Sequence, residues 1–149
     1  MAANKKNRRF LHLLFFIVYL VLLFYFFFFA DMLGRTQGEG VYRFNLTLFK
    51  EIRRFIEYYD VVGRKAFGLN IVGNIIVFIP FGYFMGVFMM PNGTWYMVTV
   101  LSFVLSLCVE LTQLVVKIGS FDVDDMLLNT IGGFLGYLVF WMLRHRRRH

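Results

Sequence analysis

The sequence predicts an all-α polytopic membrane protein: a four-transmembrane-helix bundle with an extracytoplasmic amphipathic helix between spans 1 and 2. Three observations predict it. Hydrophobic residues make up 59% of the 149-residue chain and charged residues only 17%. Four apolar runs each approach the ~20 residues that a helix needs to cross the hydrocarbon core. The charges cluster at both ends and in one intervening segment rather than on one folded face. A soluble domain of this size needs more polar surface, and lipid leaves an apolar run no route but helix for satisfying its backbone. The net charge of +7 therefore does not point to nucleic acid as a partner.

The first span covers residues 10–30, with His12 near its start. Lys5, Lys6, Arg8 and Arg9 precede it like the basic end of a signal peptide. The run is longer than the usual ~7–15-residue apolar region and no A-x-A-like cleavage site follows, so it reads as an uncleaved helix. After it, residues 47–62 carry an amphipathic pattern. Leu48, Phe49, Ile52, Phe55, Ile56, Tyr59 and Val62 recur at helical spacing, with Lys50, Arg53, Arg54 and Glu57 on the other face. Such a helix lies in a bilayer interface, its basic stems reaching toward anionic head groups, or simply covers the bundle.

The second span is residues 69–90, the third 95–116 and the fourth 123–143. Pro80 is expected to kink or locally open the second. Gly82 and Gly86, with Gly132, Gly133 and Gly136 of the fourth, mark faces where two helices approach closely. Cys108 is the single cysteine, so no internal disulfide is available.

The positive-inside rule sets direction. Basic residues before span 1 and Arg144, Arg146, Arg147 and Arg148 after span 4 place both termini in the cytoplasm of a multi-pass protein of the plasma membrane. Trp95 and Trp141 then sit at the cytoplasmic interface. Arg35, Arg43, Lys50, Arg53, Arg54, Arg64 and Lys65 in the segment left outside oppose that orientation, and reversing it would expose both basic ends instead.

Ionisable residues inside a span are costly and default to a functional role. Glu110 lies within span 3, with Gln113 and Lys117 at helical spacing beyond it. Asp122, Asp124 and Asp125 open span 4; Asp122 suits an N-cap, and acids in the first turn suit the helix dipole. Asn129 follows Asp125 by one turn, and span 2 carries Asn70 and Asn74, also one turn apart. Three spans thus place polar groups at one depth near the outer side. Such a cluster suits a cation, a phosphate held through a cation, or the head group of a lipid-linked molecule. The candidate ligand-binding set is Asn70, Asn74, Glu110, Gln113, Asp122, Asp124, Asp125 and Asn129, with Arg43, Lys50, Arg53 and Arg54 for an anionic group. Glu110, Asp122 and Asp125 are the candidate ligands of a divalent cation, and Glu110 the candidate general base. No Cys/His metal spacing, G-x-S-x-G motif or Gly-rich phosphate loop occurs.

The stretches RFNLTLFKEI (43–52), NIVGNIIVFIPFG (70–82), Glu110-Leu111-Thr112-Gln113, Phe121-Asp122-Val123-Asp124-Asp125 and Asn129-Thr130-Ile131-Gly132-Gly133, with Gly136-Tyr137, resemble the VanZ-like family of bacterial membrane proteins. The resemblance covers about residues 41–141, a single domain within 1–149. A proline usual in the first stretch is replaced here by Thr47-Leu48. The resemblance implies a helical envelope protein associated with reduced susceptibility to teicoplanin, a lipoglycopeptide that binds peptidoglycan precursors. On that expectation the outer cluster engages a lipid-linked cell-wall precursor, a lipid head group or the drug, and the resemblance does not itself make the cluster catalytic. The alternatives are a cation-assisted enzyme acting on lipid-linked phosphates, and a non-catalytic structural or partner-binding bundle.

Overall fold

The computed structural model describes residues 2–34, 44–57, 71–117 and 120–146, and the described chain is mostly helical. Helix α1 runs Ala2–Gly34, α2 Lys50–Glu57, α3 Gly73–Phe88, α4 Trp95–Val116 and α5 Val123–Arg146. Two short strands, β1 (Phe44–Asn45) and β2 (Phe121–Asp122), pair in parallel with Phe44 opposite Phe121 and Asn45 opposite Asp122. Among the described residues three helices are long and apolar enough to cross a membrane: the 7–28 stretch of α1, α4 and α5. Helix α3 is equally apolar but only 16 residues long. The expected second span began at residue 69; residues 58–70, Asn70 among them, lie outside the described residues.

Short connections fold α3, α4 and α5 against one another, and the most extensive contact is α3 on α5. Glycine makes it possible. A Cβ on Gly132 would strike the Ile75 carbonyl oxygen, one on Gly136 the Ile79 carbonyl, and one on Gly82 the Gly133 carbonyl. The neighbours are backbone atoms that cannot swing away, so only glycine allows this approach. The expected pairing of these two glycine faces is what the structure shows.

Helix α1 packs more thinly. Leu23, Phe27 and Phe28 join Phe78 and Val109 in a buried apolar cluster, while most of the helix surface is exposed apolar side chain. The Phe16 ring meets Phe84 and Phe88 at 5.5 and 5.3 Å. The Tyr19 hydroxyl donates to the Val77 carbonyl at 2.9 Å, three residues before Pro80. The Gln113 side-chain amide donates to the Phe27 carbonyl at 3.1 Å, tying α4 to α1. An apolar helix with a mostly exposed surface is at home in lipid, where those side chains meet acyl chains.

Two sequence expectations shift. The amphipathic helix was expected to start at residue 47, but Phe49 adopts a left-handed backbone (φ 64°) and α2 begins after it, at Lys50. Arg43 and residues 58–62 lie outside the described residues. Lys117 was expected to share a helical face with Glu110. Instead α4 stops at Val116, and Lys117 is the left-handed residue (φ 59°) that ends it, its side chain exposed.

Candidate functional site

Because α3, α4 and α5 alternate in direction, the start of α3, the end of α4 and the start of α5 share one end of the bundle. Polar residues sit there on all three helices, and the segment 44–57 folds onto the same end. Glu110 of α4 is only 1% exposed, and its Oε2 accepts the Asp122 backbone N–H at 2.8 Å. Asp122 Oδ1 accepts the Asp124 N–H at 2.8 Å and the Asn45 side-chain amide at 3.0 Å. The first bond is the expected N-terminal cap of α5. The second holds β1 in register with β2.

Asp124, also 1% exposed, reaches out of α5 to the start of α2. Its Oδ1 accepts the Phe49 N–H at 2.5 Å and its Oδ2 the Ile52 N–H at 3.3 Å. A carboxylate at a helix N-terminus satisfies free amides and meets the positive end of the helix dipole. Here it belongs to another helix, 72 residues away in sequence from Ile52. That capping explains why α2 starts where it does. Asp125 Oδ1 accepts the Asn74 amide at 2.6 Å, joining α5 to α3. Three neighbouring aspartates therefore avoid mutual repulsion by each facing N–H donors, with two of them in the favourable first turn of α5.

One turn deeper than Asp125 along α5, Asn129 is fully buried and donates to Ser106 Oγ at 2.8 Å. Its Oδ1 has no hydrogen-bond partner among the described residues. Ser102, Ser106, Glu110 and Gln113 form one buried polar stripe along α4. The structure thus brings together Asn74, Glu110, Asp122, Asp124 and Asp125, with Gln113 and Asn129 buried close by along their helices. Lys50, Arg53 and Arg54 are exposed on α2, with Arg53 Nε donating to Glu57 Oε1 at 2.6 Å. Asn70 and Arg43 lie outside the described residues.

Sequence reasoning missed Asn45 and Ser106 as members. Asn45 lies within the quoted 43–52 motif, and Ser106 is one turn before Glu110 on the same face. Both signals were available.

The carboxylates here act as acceptors for backbone and amide N–H groups. Among the described residues no group of three His, Cys, Asp or Glu is placed to hold a metal ion. Of the candidate ligand set, Glu110, Asp122 and Asp125 each direct one oxygen to an N–H donor. Glu110, the candidate general base, is buried and accepts the backbone N–H just before α5.

A family model described as VanZ/LLP1 matches residues 16–144. The chain is 39% identical to Protein VanZ of Enterococcus faecium over 67 residues, 45% of this chain and 41% of that protein. The matched stretch thus spans less than half the length of that relative. No solved structure matches. The residue motifs, the apolar helices and a family match over most of its length agree that this membrane protein belongs to the VanZ/LLP1 family.

Proposed function

We propose that the chain reduces susceptibility to teicoplanin and related lipoglycopeptides by acting at the outer face of the bacterial cytoplasmic membrane. On this reading it is one domain over residues 1–149 that crosses the bilayer four times, with both termini cytoplasmic. Helix α3 supplies the second crossing together with its flanking apolar residues. The polar end of the bundle faces outward and engages a lipid-linked cell-wall precursor, a lipid head group or the drug itself. Family membership supports the envelope role. The observation that carries the site is that buried polar side chains from α3, α4 and α5, together with Asn45, meet at one end of an otherwise apolar bundle. Polar groups in lipid are costly, so a cluster of this size is retained for a purpose.

Glu110→Gln and Asp125→Asn test the reading. Each replacement keeps the shape and an acceptor oxygen while removing the charge. Expressed in a teicoplanin-sensitive host at membrane abundance equal to the parent, either variant is expected to return susceptibility to that of cells carrying an empty vector. Unchanged resistance at equal abundance removes these residues from the proposed site.

A further inference from the structure

We propose that the segment from Phe44 to Glu57 is a docking surface for the anionic head groups of the surrounding phospholipids, clamped onto the bundle by Asp122 and Asp124. The proposal rests on the reading of this end of the bundle as lying at a bilayer surface, and it names the part of the site that makes contact. The buried cluster itself is poorly suited to that contact. Glu110, Asp124 and Asn129 are at most 1% exposed, and the carboxylates are engaged with N–H donors. What they hold is exposed.

Phe44, Leu46, Leu48, Phe49 and Ile56 are between 50% and 70% exposed, five large apolar side chains in a short segment at the polar end of the molecule. Beside them Lys50, Arg53 and Arg54 share one face of α2 and are exposed, Arg53 reaching Glu57 through one of its guanidinium nitrogens. Against Glu51 and Glu57 they leave α2 with one net positive charge. Apolar side chains interleaved with cations fit one environment well: the boundary where acyl chains give way to phosphates. Asp124 already occupies the Phe49 and Ile52 amides at the start of α2, so the side-chain cations are the groups offered to an anion.

The segment is also held in place. The β1–β2 pairing and the Asn45–Asp122 bond fix its start beside β2, and the Asp124 cap fixes its middle to the first turn of α5. A surface fixed in advance binds without the entropic cost of ordering it. Asp124 is in this sense a positioning residue for the cations.

Purified protein in detergent, given equal amounts of phosphatidylglycerol and phosphatidylcholine, tests the proposal through the lipids it retains by native mass spectrometry. The parent is expected to retain phosphatidylglycerol preferentially. Replacing Lys50, Arg53 and Arg54 together with Gln should abolish the preference, a loss on the order of fivefold or more. Lys50→Arg with Arg53→Lys and Arg54→Lys should keep it. Asp124→Asn, which leaves every charge on α2 in place, should weaken it. Equal retention of the two lipids by the parent, or a preference surviving the triple Gln variant, overturns the proposal. So does displacement of the lipid by inorganic phosphate, which would make this a phosphate site. The readout needs no antibiotic, so loss of lipid preference with resistance intact fails this inference alone, and the reverse result fails the proposed function alone.

Discussion

Replacing Gly132 with alanine is expected to destabilise the bundle by about 3 kcal/mol or more, because overpacking against atoms that cannot move reaches and passes the usual range. The new Cβ would meet the Ile75 carbonyl and the Phe78 Cβ. Relief requires α3 and α5 to separate along their whole contact, since Gly136 approaches the Ile79 carbonyl one turn further on. Gly73→Ala is the matched control. A Cβ there has nothing within 4 Å, and alanine is the better helix former by up to ~1 kcal/mol. Unfolding in detergent should show a markedly lowered midpoint for Gly132→Ala and a neutral or slightly raised one for Gly73→Ala. Equal midpoints would mean that the α3–α5 contact is looser than the structure has it.

The second large effect is local. Asp124→Ala is expected to release α2 at a cost of about 2–4 kcal/mol, since a hydrogen bond to a charged group contributes roughly 1.5–3 kcal/mol and two N–H donors lose their acceptor. Hydrogen exchange at the Phe49 and Ile52 amides should speed up by orders of magnitude, while exchange within α4 changes little. Asp125→Ala loses the Asn74 bond on the α3 side and should leave those two amides protected. Identical protection of Phe49 and Ile52 in the parent and Asp124→Ala would show that the cap does not exist.

These two expectations also mark what can and cannot be read from sequence. The helices are legible because lipid demands long apolar runs, and α1, α4 and α5 fall where those runs lie. The glycine contact is legible too, as small residues spaced along two runs. Glu110, Asp122, Asp124 and Asp125 announce themselves because charge in an apolar run needs a reason. Their partners are harder to find. Asn45 meets Asp122 across 77 residues and Phe49 meets Asp124 across 75. Periodicity describes one helix at a time and says nothing of a segment arriving from elsewhere.

That limitation explains the particular differences. Apolar spacing from residue 47 extends the amphipathic helix too early, because a carboxylate from α5 sets its start and Phe49 turns left-handed to meet it. Spacing of seven residues places Lys117 beside Glu110 only while the helix continues, and it ends at Val116. With Asn45 and Asn74, the acids form a largely buried frame beneath an exposed, basic and apolar surface.

The claim that segment 44–57 is clasped to the start of α5 is tested most directly by a cross-link between Phe44 and Phe121. The two are cross-strand partners in the parallel β1–β2 pair, and neighbouring strands lie about 4.8 Å apart, within the Cα separation that a disulfide accepts. Both are changed to cysteine in a Cys108→Ser background, so that no other thiol competes. Under mild oxidation in native membranes the pair is predicted to close and to resist maleimide labelling until reduced, while Ile56→Cys with Phe121→Cys stays open. Free labelling of both cysteines in the Phe44/Phe121 variant after oxidation would contradict the clasp and the docking surface built on it.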